Sequence, residues 1–253
     1  IIERDYWIAC ILKKFSKHQI NNKIAIKGGA ALKFCYGLTD RYIYDIDFVD
    51  YSKNISIKEI RTFFNEVLFG CHFSTDNDHI LQHVRWFPYD KHLLNEEIRM
   101  DYLVGEYIET IRYNKVTCSI QKFLYENGLY DILSDYNVYE FMIPTMTIEN
   151  IFIEKLFACT QNYNRERYED AQKHLDDLMY IKKSINFNNK LLNDLIKRKI
   201  QLDSKIFESK EILQNSKFGL FNNIENTILY ENIHDNKKAY LTKFALYVTE
   251  FLM

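Results

Sequence analysis

Proline and glycine are scarce, at two and seven in 253 residues, so long Pro/Gly-rich linkers are excluded. The five cysteines, Cys10, Cys35, Cys71, Cys118 and Cys159, form no Cys-x-x-Cys pair. An odd, scattered set reads as reduced, buried thiols in a cytosol, not as a disulfide framework. No stretch approaches the ~18 apolar residues of a membrane span, which excludes a membrane partner of that kind. Positive charge is not in excess either. The net charge is -2 and the pI near 6.4, so no global basic field advertises nucleic acid, and only a local patch can do so. The start, Ile1-Ile2-Glu3-Arg4-Asp5, lacks a signal-peptide layout, and its missing Met points to a longer natural terminus. What is present is a folded balance of 47% hydrophobic and 27% charged residues, enough for one large domain or two modest ones. The expectation is a cytoplasmic protein.

Periodicity divides the chain. Trp7, Ile8, Ile11, Leu12 and Phe15 sit at helical spacing over residues 4–15. A short strand at 24–26 runs into Lys27-Gly28-Gly29, and a helix is expected from Ala30. Residues 45–49 alternate, with Ile46 and Phe48 on one face and Asp45 and Asp47 on the other. An amphipathic helix carries Ile57, Ile60, Phe63, Phe64, Val67 and Leu68. Strands are expected at 83–87, at 98–104 and at 139–143, the last ending at Pro144. From there the pattern is helical: a segment that Thr147 can cap, then segments at 168–183, around 191–200 and at 238–253. No internal repeat is evident. The division is an α/β half over 1–145 and a helical half over 146–253.

The informative combination is strand, Gly-Gly, helix, then an Asp-x-Asp strand. Two glycines let the backbone turn tightly and approach a ligand closely. The helix start that follows offers unpaired N–H groups suited to phosphate. Asp45 and Asp47 are about 7 Å apart along one strand face, so their carboxylates can converge on a hard cation such as magnesium. Asp101, isolated among β-formers in Ile98-Arg99-Met100-Asp101-Tyr102-Leu103, is the candidate third ligand of a two-metal site. The alternative for Asp101 is a solvated sheet face, paired with Arg99. If the three acids cluster, their mutual repulsion is expected to raise at least one pKa.

In that order and spacing these features resemble the nucleotidyltransferase signature. Lys27-Gly28-Gly29-Ala30-Ala31-Leu32, Arg41 and Asp45-Ile46-Asp47 resemble the AbiEii/AbiGii-type nucleotidyltransferases, toxins of type IV toxin–antitoxin and abortive-infection systems. The opening Glu3-Arg4-Asp5-Tyr6-Trp7, the helix with Glu154-Lys155-Leu156-Phe157-Ala158 and the segment Lys173-His174-Leu175-Asp176-Asp177-Leu178 resemble it further. The resemblance implies an α+β fold: a polymerase-beta-like mixed sheet with flanking helices, then a helical domain that completes the active-site cleft. It implies transfer of a nucleoside monophosphate from an NTP to an RNA acceptor, such as a tRNA 3′ end, or to a protein, and antagonism by an antitoxin. Two magnesium ions would sit on Asp45, Asp47 and Asp101. Lys27, Gly28, Gly29, Arg41 and Lys155 would bind the nucleotide, and Asp177 would serve the site from the next helix. Ala30 and Ile43 stand where members often carry hydroxyl residues, so side-chain help for the triphosphate is missing there.

Lys155 projects from a largely apolar stripe, where a lysine otherwise snorkels at a core edge. His79 and His83 have i,i+4 spacing but no third zinc ligand, and they read as surface histidines. Lys197, Arg198 and Lys199 form a basic helical run, ordinarily a solvated face and otherwise the place for an RNA backbone. Two rival functions remain. A degenerate, non-catalytic module would bind without chemistry, and a metal-dependent nuclease would explain the carboxylates but neither the Gly-Gly turn nor Lys155.

Overall fold

In the computed structural model the chain forms two compact units, Ile1–Thr147 and Ile148–Met253. The described residues are 2–39, 42–52, 55–68, 70–75, 81–86, 97–116, 141–164, 167–186 and 188–206. The first unit opens with α1 (Ile2–Lys17), whose inner face buries Trp7, Ile8, Ile11, Leu12 and Phe15. After a 3₁₀ turn come β1 (Ile24–Lys27), α2 (Gly28–Phe34), β2 (Asp45–Asp50) and α3 (Ile57–Val67). Ser56 starts α3 with a reciprocal capping box to Glu59. The remaining strands are β3 (His72–Thr75), β4 (Leu81–Trp86), β5 (Ile98–Tyr107), β6 (Ile111–Val116) and β7 (Phe141–Met146).

Among the described residues, seven strands join one mixed sheet in the order β3-β4-β5-β2-β1-β7-β6. The β1–β2, β3–β4, β4–β5 and β6–β7 pairs are antiparallel, while β2–β5 and β1–β7 are parallel. The expected mixed sheet with flanking helices is therefore the fold. Its core lies on the face that carries Ile46, Phe48, Met100 and Val84. There Phe15, Phe48, Phe63 and Phe64 meet in edge-on and tilted ring contacts.

Two expected element bounds, one of a strand and one of a helix, need correction. The last strand runs through Pro144 to Met146 rather than ending there. The ladder from β7 to β1 registers at Ile26↔Thr145, so a proline without an N–H disturbs little pairing on that side. Helix α2 begins at Gly28, two residues before the expected start, because Gly28 takes a φ of 67° and turns the chain directly out of β1.

The second unit is helical over its described residues. It contains α4 (Ile148–Asn164), α5 (Tyr168–Ser184) and α6 (Asn189–Ile206), with α5 and α6 both packed against α4. The helix expected at 238–253 lies outside the described residues. No helix among them is long and apolar enough to cross a membrane.

Candidate active site

Sheet register builds the site. Across β1, β2, β5, β4 and β3, Lys27 pairs with Asp47, Asp47 with Asp101, Asp101 with His83, and His83 with Ser74. One pleat further along, Asp45 pairs with Arg99 and Arg99 with Arg85. Paired residues share a face, so these polar side chains form two adjacent rows opposite the apolar core. Asp45, Asp47 and Asp101 each bring one carboxylate oxygen within 4.8 Å of the others. Three converging hard oxygen donors fit a magnesium ion, which takes carboxylates and leaves positions for phosphate.

Gly28 closes this group from the side of α2. A Cβ there would collide with Oδ2 of Asp47 and stand 3.2 Å from its Cγ. The glycine turn is thus pressed directly against the Asp47 carboxylate, with no room for a side chain between them. Gly29 is buried beside it. Lys27 is ion-paired with Glu106, which is buried on β5 near a register shift opposite Phe48–Asp50. Arg41 lies outside the described residues.

The carboxylates have protein counter-charges. Arg99 donates from Nη2 to Asp45 Oδ2 at 2.7 Å, and its Nε lies 3.1 Å from Asp101 Oδ2. The second approach is an ion pair without hydrogen-bond alignment, since Nε makes no hydrogen bond. The flanking carboxylates keep the guanidinium pKa raised even though burial opposes it. His83 Nδ1 lies 2.8 Å from Asp101 Oδ1. The Asp101 pKa is raised, with burial as the largest cause; His83 and Arg99 oppose the rise and the charge of Asp45 adds least. The expected repulsion is therefore real but minor, and desolvation dominates.

His83 is the residue that sequence reasoning missed. Far from a solvated surface position, it neighbours the third carboxylate. Pairing it with His79 by helical spacing concealed this, because β4 is a strand and His83 belongs to the alternation of Leu81–Trp86. His79 itself lies outside the described residues.

In the second unit, Lys155 on α4 and Asp177 on α5 are both buried, with Nζ 2.9 Å from Oδ2. Each charge satisfies the other, so the lysine does not snorkel. Asp176 is half-buried and accepts a hydrogen bond from Gln172 at 3.0 Å. On α6, Lys197 and Arg198 are exposed, whereas Lys199 turns toward Glu154 at 4.0 Å.

A family model described as nucleotidyl transferase AbiEii toxin, type IV TA system, matches residues 10–245. Among solved structures, the nucleotidyltransferase toxin MenT4 from Mycobacterium tuberculosis H37Rv superposes with a TM-score of 0.56 at 14% identity. The alignment covers 97% of this chain and 84% of that one, and at this identity the likeness is one of fold. No curated protein matches the chain.

Proposed function

The chain belongs to the AbiEii nucleotidyltransferase toxin family of type IV toxin–antitoxin systems, and from that premise we propose a magnesium-dependent transfer of a nucleoside monophosphate from an NTP to an RNA or protein acceptor. The observation that carries the reading is the convergence of three carboxylate oxygens within 4.8 Å, one of them against the Gly28 turn. Asp45, Asp47 and Asp101 would hold the ions, which would supply charge stabilisation for the attacking and leaving oxygens. Backbone N–H groups at Gly28 and Gly29 would receive phosphate oxygens, and Asp101 would accept the proton of the acceptor hydroxyl. Its raised pKa suits that task better than an ordinary aspartate's would. Lys155, ion-paired with Asp177, would supply counter-charge to the triphosphate, as phosphoryl transfer demands. The protein would work in the cytoplasm, with an antitoxin opposing it.

The test is incubation with each α-labelled NTP, magnesium, and total cell RNA or protein. Label should move to one acceptor class with release of pyrophosphate. The transfer should stop in chelator and in Asp45→Ala. One observation favours the non-catalytic rival: Arg99 already supplies a positive charge to Asp45 and Asp101. No transfer by a folded protein that still binds NTP would establish that rival.

A further inference from the structure

We propose that His83 is a positioning residue for the carboxylate site: it holds the Asp101 carboxylate in the orientation that turns Oδ2 toward Asp45, and thereby sets the affinity for magnesium. The inference rests on the nucleotidyltransferase reading and adds a residue that reading does not use. β4 is an interior strand, paired with β3 on one side and β5 on the other, so the backbone under His83 is fixed from both edges. Val84 is buried in the core face, which puts His83 on the opposite face with Asp101 directly across the ladder. Its Nδ1 lies 2.8 Å from Asp101 Oδ1. Both side chains are largely covered, with 23% of the imidazole and 11% of the carboxylate exposed.

The terminal torsion of an aspartate is broad, so the plane of its carboxylate is fixed by what the oxygens touch and not by rotamer preference. Both oxygens of Asp101 are engaged. Oδ1 meets His83 from β4, and Oδ2 lies 3.1 Å from Arg99 Nε. The same guanidinium donates to Asp45 Oδ2 at 2.7 Å, so Oδ2 is the Asp101 oxygen on the Asp45 side. Arg99 alone is a poor anchor for this orientation, because its Nε makes no hydrogen bond and its side chain is 41% exposed. The imidazole is the better one. Against a carboxylate, Nδ1 carries the hydrogen and donates. Without that bond the carboxylate is free to turn, and the convergence of Asp45, Asp47 and Asp101 within 4.8 Å is no longer fixed. Removing a partner that hydrogen-bonds a ligating carboxylate typically costs about 10–100-fold in metal affinity.

The experiment follows the melting temperature of the full chain across a titration with magnesium alone, in wild type, His83→Leu and His83→Asn. The metal-free end of each curve reads stability, and the rise with magnesium reads affinity. Leucine keeps apolar bulk on the strand but has no donor, whereas asparagine keeps an N–H on the atom bonded to Cγ, where Nδ1 stands in histidine. His83→Leu should bind magnesium roughly 10- to 100-fold more weakly, and His83→Asn should recover most of that loss. A His83→Leu that melts lower without metal yet binds magnesium like wild type reduces the histidine to a structural contact. That result overturns the proposal and leaves the nucleotidyltransferase reading standing. A His83→Asn as weak as His83→Leu overturns it too, because the Nδ1 donor would then not be what counts. Asp45→Ala is the control for the site itself. If it binds magnesium like wild type, or wild type binds none, the metal-site reading falls and the proposal with it. His83→Ala repeats the comparison should the leucine variant misfold.

Discussion

Gly28 meets two demands at once. Its φ of 67° is costly for any residue with a Cβ, and a Cβ there would strike the Asp47 carboxylate. The atom struck is the end of a side chain, so the carboxylate yields before the backbone does. Gly28→Ala should therefore cost only about 1–3 kcal/mol of stability, mostly strain, yet abolish magnesium-dependent thermal stabilisation. Melting curves with and without magnesium separate the two effects. Asp101 makes the opposite trade. Its pKa lies above the ordinary 3.8, so the folded state holds that proton more tightly than the unfolded chain does. The associated stability is complete below the unfolded value and is lost as pH rises through the folded one. Asp101→Asn stays neutral and keeps it. Without metal, this variant should melt at or above wild type at neutral pH, and the gap should close as pH falls toward about 4, near the reference aspartate value. A variant that melts well below wild type at neutral pH would show that Arg99 and His83 need the ionised carboxylate.

Elements with a strong period were readable from sequence; those defined by their neighbours were not. α1, β2 and α3 announce themselves because burial alternates with the period of each element. β3 and β6 went unread. β3 is four residues of mixed polarity, and β6 carries Arg112 and Lys115 as an outermost strand of the sheet, where charge is at home. Asp45, Asp47 and Asp101 could be picked out as acids among β-formers. Arg99 could be offered as a partner for Asp101, two residues along the same strand, but its contact with Asp45 and the place of His83 could not, because these arise only through the register of β2, β5 and β4. The same holds for Lys155 and Asp177, which the family resemblance names while only helix packing pairs them. That pairing gives a test. Asp177→Ala strands a buried lysine and should cost about 3–5 kcal/mol in urea denaturation. Lys155→Met combined with Asp177→Leu should recover most of that loss. If Lys155 also meets the triphosphate, the double variant will be stable yet raise the KM for NTP. An unchanged KM would reduce the pair to a structural role.

At the scale of the whole molecule, the chain belongs to a toxin family, which makes growth the readout for the proposed chemistry. If transfer onto a cellular acceptor is the toxic act, expression should slow growth, and Asp45→Ala should relieve the arrest without unfolding the chain. Removing Asp45 takes one charge from a group of three, which lessens repulsion, but it also costs Arg99 its 2.7 Å partner. The two changes oppose each other, so stability should stay close to wild type, and soluble yield with a melting curve checks it. If Asp45 holds the metal as proposed, its loss should by contrast reduce transfer by orders of magnitude. An RNA acceptor adds a requirement that a protein acceptor does not. Lys197 and Arg198 are exposed on α6, whereas Lys199 is turned toward Glu154, so the first two are the pair to test against an RNA backbone. Neutralising both should lower the slope of log affinity against log salt by up to about 2, with NTP binding unchanged. Growth arrest that survives Asp45→Ala in a folded protein would move the toxicity from catalysis to binding. An unaltered salt slope in the double variant would leave the basic run of α6 as a solvated face.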